Sequence, residues 1–252
     1  MQPDTGFAGT GPRQRGGSSE GFQIEEPSEE PEGLQMLEHS IAGGKTIMCV
    51  ICASPAGVRQ PTLSEISDMF DRNPDGAGYM VARDGRVEIH KGFMGLGEFL
   101  DVIKAEHFTI KDPVVYHFRI STQAGVTPEM THPFPLTSVL KYTRALDVTC
   151  QCGIAHNGII QLTSDPTQTR YSDTALFITR YLSRMLHSPA DLRNRELLNQ
   201  IHDLAKSKLA ILDGTGHIAT VGQFFNQDGL LLSNLNHMPY RYWFNKPHFA
   251  FS

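Results

Sequence analysis

Cys49 sits in the apolar run Met48-Cys49-Val50-Ile51-Cys52, and four later stretches carry partners that suit it as a nucleophile. They are His117-Phe118-Arg119-Ile120-Ser121-Thr122, Thr131-His132-Pro133-Phe134, Ala155-His156-Asn157-Gly158 and Ser172-Asp173-Thr174. The thiolate is the attacking species, and an ordinary thiol titrates near ~8.5. An α-amine titrates near ~8 and can take the thiol proton, directly or through a water. That base is available if the chain begins chemically at Cys49. If the preceding residues stay attached, the same nitrogen is locked in a peptide bond. The oxyanion formed by attack on an amide needs fixed donors, and a side-chain amide next to a main-chain N–H supplies two, as Asn157-Gly158 offers.

Elements must bring these stretches together. Met48 to Ala53 is short, apolar and closed by Pro55, which predicts a buried strand. Leu63 to Phe70 places apolar residues on one helical face. Asn73-Pro74-Asp75-Gly76 is a turn, and strands Ala77 to Ala82 and Val87 to Lys91 flank a hairpin at Arg83-Asp84-Gly85. Gly97 to Ala105 is a predicted helix, and Val114 to Ile120 a strand entered through Pro113. Leu136 to Leu146 suggests an inserted hairpin, and Gly153 to Ala155 a short buried strand ending at His156-Asn157-Gly158. Ser172 stands where an N-cap belongs, ahead of a helix from Ala175 to Leu186. A second helix covers Leu192 to Ala205. Lys208 to Leu212 and His217 to Val221 form a second hairpin about Asp213-Gly214-Thr215-Gly216, and Leu230 to Ser233 reads as a last strand. Strand pairs alternate with helix pairs without a βαβ rhythm, a pattern that suits α+β.

Composition narrows the classes. Residues 1–47 carry eight acidic and three basic side chains, and the remaining 205 residues hold 19 of each sign. Without a basic stripe, nucleic acid is not an expected partner. The Gly/Ser and Glu/Pro content of 1–47 cannot bury enough apolar surface to offset chain entropy, so this part reads as a disordered acidic leader or propeptide, with a globular domain over 48–252. No run approaches the ~18 apolar residues of a membrane span, so a cytoplasmic protein is expected, in the host cytoplasm if phage-encoded. The four cysteines, Cys49, Cys52, Cys150 and Cys152, are too few for a disulfide scaffold. Cys-x-Cys at 150–152 is a poor zinc knuckle; Cys52 and Cys152 read as small buried hydrophobes, and no metal or other cofactor is expected.

The ordered set of a cysteine behind a removable leader, an Arg-Ile-Ser-Thr strand end, a His-Pro element, an Asn-Gly after a strand and a Ser-Asp-Thr before a helix resembles the N-terminal-nucleophile (Ntn) hydrolases, specifically class II glutamine amidotransferase domains. It spans Cys49 to about Asn234. Asn73-Pro74-Asp75-Gly76-Ala77-Gly78, His132-Pro133-Phe134 and the late hairpin further resemble stand-alone, phage-type members. The resemblance implies a four-layer αββα sandwich of two antiparallel sheets flanked by helices. It also implies a reaction in which Cys49 attacks the γ-carboxamide of glutamine, forms a thioester and releases ammonia to a separate synthetase.

Each residue then acquires an implied role. Asn157 and Gly158 are the oxyanion donors. Arg119 takes the α-carboxylate of glutamine, because its planar fork matches a carboxylate bidentately. Asp173 takes the α-ammonium, Thr122 contacts substrate, and His132 shapes the pocket. His117 and His156 are structural. Taken singly, Asn157-Gly158 is also a hairpin turn, Arg119 a surface strand residue and Asp173 an N-cap. Gln123-Ala124-Gly125 departs from the family, which has His or Asn then Gly after the threonine. Two alternatives therefore stay open: an amidase for another γ-glutamyl-like amide, and a catalytically silent binding or structural protein that keeps its leader.

Overall fold

The computed structural model describes residues 48–121, 126–163, 171–238 and 250–251. Two antiparallel sheets carry the fold. The larger has eight strands: β1 (Val50–Ser54), β2 (Ala77–Arg83), β3 (Arg86–Phe93), β4 (Val114–Phe118), β6 (Asp147–Cys150), β10 (Phe225–Gln227), β11 (Leu230–Leu232) and β12 (Ala250–Phe251). Across this sheet they run β12-β10-β11-β1-β4-β2-β3-β6. The smaller sheet is β5 (Phe134–Pro135), β7 (Cys152–Asn157), β8 (Lys208–Asp213) and β9 (Ile218–Val221), in that order. With helices α1 (Leu63–Arg72), α2 (Leu96–Glu106), α3 (Asp173–Phe177), α4 (Ser183–Met185) and α5 (Arg195–Ala205), the chain is mixed α and β, compatible with the expected α+β class.

The period-2 alternation of the strands sorts their side chains into three cores. Val50, Cys52, Tyr79, Val81, Tyr116 and Phe118 pack against Ile66, Met69 and Phe70 of α1 and Phe99 of α2. On the opposite face of the same strands, Ile51, Ala53, Met80, Ile89 and Val115 meet Ala155, Ala210 and Leu212 of the smaller sheet. The far face of that sheet, Ile154, Leu209 and Ile211, is covered by Phe177, Ile178 and Leu182 and by Leu198 and Ile201 of α5.

Local chemistry sets the element ends. Thr62 caps α1 through a capping box with Glu65: Thr62 Oγ1 accepts the Glu65 N–H at 3.2 Å, and Glu65 Oε2 accepts the Thr62 N–H at 2.7 Å. The β2–β3 hairpin turns on Asp84 and Gly85, both at positive φ. Ser172 caps α3 as expected, its Oγ accepting the Ala175 N–H at 3.1 Å. The helix from Asp173 to Met185 is interrupted by a π-helical stretch, Ile178–Leu182; the next one, predicted from Leu192, begins at Arg195 behind its N-cap Asn194, and Asp191–Arg193 forms a separate 3-10 turn.

Other expectations are corrected. Leu136 to Leu146 is no hairpin; it contains a 3-10 turn, Leu140–Arg144, that leads to edge strand β6. The buried Lys91 fixes this excursion: its Nζ donates to the carbonyls of Thr143 at 2.7 Å and Glu129 at 3.0 Å and lies 3.8 Å from the Phe134 ring centroid. Strand β4 stops at Phe118, short of Ile120, because the next residues bond elsewhere: the N–H of Ser121 donates to Asp75 Oδ2 at 2.7 Å. Leu230 to Leu232 is not the last strand, since β12 pairs with β10. The leader, residues 1–47, and Gln123-Ala124-Gly125 lie outside the described residues.

Candidate active site

Strand register and parity converge on one end of the space between the sheets. Val50 pairs with Phe118 and Ile51 with His117, so Cys49 and Arg119 come next at the end of the β1–β4 ladder. Ile51 and Val115 face the smaller sheet, and so does Ala155 from the other side. In the step of two that a strand repeats, Cys49 stands one step on from Ile51, Asn157 one step on from Ala155 and Arg119 two steps on from Val115. Three positions far apart in sequence thus lie in facing rows.

Cys49 Sγ lies 3.5 Å from both the N–H nitrogen and the carbonyl oxygen of Ile120. Burial pushes its thiol up, opposed by the Ile120 N–H and the Arg119 charge, while Asp173 adds a further upward push. Deprotonating this thiol therefore needs a base. With Met48 attached, the α-nitrogen of Cys49 is a peptide nitrogen and supplies none.

Arg119 continues the main-chain pattern on its other side, donating its N–H to Gly76 at 2.8 Å and accepting the Asp75 N–H at 3.0 Å. Its Nη2 makes a long contact, 3.4 Å, to Ser121 Oγ. Its Nη1 is buried and finds no hydrogen-bond partner among the described residues. A buried unsatisfied donor costs ~1–3 kcal/mol, more when charged, so this atom is suited to receive an anion. Thr122, the other substrate contact expected on this segment, lies outside the described residues.

Asn157 ends β7, whose return partner β8 begins only at Lys208, so Asn157-Gly158 is not a hairpin turn. Its Nδ2 donates to Ser233 Oγ at 2.9 Å, while its buried Oδ1 has no partner among the described residues. Ser233 Oγ already accepts the Ile51 N–H at 2.9 Å. A half-turn of the amide lets the Ser233 hydroxyl donate to Oδ1 and frees Nδ2 as a donor. Gly158 has φ 136°, and a Cβ there would lie 2.7 Å from the Ser207 Cβ. Beyond it the N–H of Ile160 donates to Asp173 Oδ2 at 2.7 Å, and the Thr174 N–H donates to Oδ1 at 2.7 Å.

Under these groups lies a buried histidine network. His117 Nε2 is 2.9 Å from the His156 carbonyl, so this nitrogen carries the proton. Thr174 Oγ1 lies 3.3 Å from Asp173 Oδ1, 2.8 Å from His156 Nδ1 and 3.1 Å from His132 Nε2. A carboxylate only accepts, so the hydroxyl donates to Asp173 and accepts from both rings. His156 Nε2 is then bare and accepts from Ser207 Oγ at 2.9 Å. Burial lowers all three histidines below their ordinary range, to about 3 for His117, and they stay neutral. His132 therefore acts on the site through Thr174 and Asp173. Its close neighbour at the peptide level is Gly78, where a Cβ would run into the His132 carbonyl oxygen.

Sequence reasoning missed Thr174 as a hub, and Ser233 and Asn234 altogether. Thr174 had a signal, since it follows Asp173 in the motif. Ser233 and Asn234 had none: Asn234 Nδ2 donates to the Cys49 carbonyl at 2.6 Å across 185 residues of sequence. All four cysteines are free thiols, and no group of three or more His, Cys, Asp or Glu among the described residues is arranged to hold a metal ion. No helix among them is long and apolar enough to cross a membrane. No family model matches the chain, and no curated protein matches it.

Proposed function

We propose that this chain is an Ntn-type amide hydrolase of the class II glutamine amidotransferase kind, using Cys49 as nucleophile. The three successive cores, helices on sheet, sheet on sheet and sheet on helices, support the four-layer αββα reading. The observation that carries the function is the buried Arg119 Nη1, which has no hydrogen-bond partner among the described residues and stands one residue from Ile120, whose main-chain atoms bracket the Cys49 thiol. A nucleophile next to a vacant cationic donor is what an amide substrate with a carboxylate requires.

In a chain that begins at Cys49, the free α-amine takes the thiol proton and the thiolate adds to the γ-carboxamide carbon of glutamine. The negative charge moves to the carboxamide oxygen, where the N–H of Gly158 and the rotated Asn157 amide serve as donors. The C–N bond then breaks, the α-ammonium gives its proton to the leaving nitrogen, and ammonia departs for a separate acceptor enzyme. Water attacks the thioester and yields glutamate and the free thiol. Arg119 holds the α-carboxylate and Asp173 the α-ammonium. While Met48 precedes Cys49 the base is missing and the thiol is held up by burial, which favours a silent precursor in that form.

The test is ammonia release from glutamine by protein whose first residue, established by N-terminal sequencing, is Cys49. Turnover that disappears in Cys49→Ala supports the proposal. Full activity in Cys49→Ala, or activity undiminished with Met48 attached, overturns it.

A further inference from the structure

The end of β1 is held by an arrangement that strand pairing does not explain. Cys52 and Ala53 pair with Leu232 and Leu231, after which β11 has no residues left to continue the ladder. The next rungs are made partly by side chains. The Ser233 N–H donates to the Ile51 carbonyl at 3.0 Å, and the Ile51 N–H donates to Ser233 Oγ at 2.9 Å. One step further out, Asn234 Nδ2 donates to the Cys49 carbonyl at 2.6 Å. The Asn234 amide is itself oriented, because its Oδ1 accepts the Asn236 N–H at 3.1 Å. The carbonyl of Ser233 is tied down from below by Lys208 Nζ at 2.7 Å. Ser233 Oγ also meets Asn157 Nδ2 at 2.9 Å, so one hydroxyl joins the strand of the nucleophile to the proposed oxyanion donor.

We propose that Ser233 and Asn234 are positioning residues that clamp Cys49 and set its distance from Asn157. The role rests on the reading of Cys49 as nucleophile, and it has a physical reason. Cys49 stands just outside the first residue of β1, where a chain end frays at little cost in free energy. A nucleophile placed there loses its alignment unless something other than the ladder restrains it, and a misplacement of about 1 Å can cost ~10² in rate. The Asn234 amide restrains the carbonyl of Cys49 directly and leaves its α-nitrogen and thiol unencumbered. Ser233 restrains the following peptide and keeps it in step with Asn157.

The experiment is thiol labelling of the full chain with iodoacetamide as a function of pH, with the modified cysteine mapped by mass spectrometry. In the unaltered protein, Cys49 is expected to react slowly and with a pH midpoint above that of an ordinary thiol, because burial pushes its thiol up. Asn234→Ala, which removes the donor and adds no charge, is expected to raise the Cys49 rate about tenfold. Its midpoint should fall toward that of an ordinary thiol, while the fully buried Cys52 stays unlabelled. Ser233→Ala is expected to act in the same direction. Cys49 labelling unchanged in rate and midpoint in both variants overturns the clamp. So does Cys52 labelling in step with Cys49 in both, since that reports general opening rather than release of one residue. The labelling consumes no glutamine, so a protein that fails to hydrolyse glutamine refutes the glutaminase reading without touching this result.

Discussion

Asp173 accepts the main-chain N–H of Ile160 at 2.7 Å and thereby ties the loop after Asn157-Gly158 to the start of α3. One carboxylate thus both supports the proposed oxyanion loop and carries the charge proposed to meet the substrate α-ammonium. Asp173→Asn keeps an oxygen for Ile160 and removes the charge. With a hydrogen bond to a charged group contributing ~1.5–3 kcal/mol, KM for glutamine is expected to rise about 10- to 10²-fold with a smaller change in kcat. Steady-state kinetics on the Cys49-first protein check this; an unchanged KM removes Asp173 from substrate binding.

Arg119 makes a sharper case, because its buried Nη1 has no hydrogen-bond partner among the described residues. Arg119→Lys keeps the charge but not the planar fork, and the two side chains are not interchangeable at a bidentate site. Both Arg119→Lys and Arg119→Gln are expected to raise KM, the glutamine variant by ~10² or more. Because the Arg119 charge also favours the Cys49 thiolate, Arg119→Gln is expected to move the alkaline rise of the Cys49 alkylation rate to higher pH. A KM effect with no shift in that profile would separate substrate binding from tuning of the thiol.

How much of this was legible in the sequence depended on whether the determinant was local. The helix at Leu63–Arg72 and the hairpin at Asp84-Gly85 are written in periodicity and turn chemistry, and both form close to where they were expected. The strand at Val114 was legible in its body and misread at its end, because Asp75 and Cys49, distant in sequence, take up the groups of Ser121 and Ile120. Strands of two or three residues such as β5, β10 and β12 are too short to show a period, and they exist because neighbouring strands offer them a rung. Long-range pairing also hid Ser233 and Asn234, whose partners Ile51 and Cys49 are far away in sequence. Cys49, Arg119, Asn157 and Asp173 were legible as residue types in order, yet only the register brings the first three into facing rows.

Gly158 is where backbone and chemistry meet most tightly. Its φ of 136° suits glycine, and an added Cβ would meet that of Ser207 at 2.7 Å. Gly158→Ala is expected to destabilise the protein by ~1–3 kcal/mol through strain, read as a lower urea midpoint. It should also lower kcat by ~10²–10³, since the proposed oxyanion donor is the nitrogen of this same residue. A variant that loses stability but keeps kcat would assign Gly158 to the fold alone.

The buried histidines predict an acid limit to stability. Burial lowers His117 to about 3 and His237 to about 4 from an ordinary value of 6.5, and holds His132 and His156 down as well. A base whose folded pKa is depressed binds protons first in the unfolded chain. Its contribution is therefore complete above about pH 6.5 and is lost as pH falls from there toward the folded values. Each such group costs up to ~1.4 kcal/mol per pH unit, so four acting together can remove several kcal/mol by pH 5, a large share of the ~5–15 kcal/mol typical of a domain. Urea unfolding followed by circular dichroism from pH 8 to 5 is expected to show a flat midpoint above pH 7 and a steep decline below pH 6. Thr174→Val, which takes the shared acceptor from the His132 and His156 N–H groups, should lower the midpoint even at pH 8, by ~1–3 kcal/mol. A midpoint independent of pH between 7 and 5 would mean that these rings are charged, or exposed to water, in the folded protein.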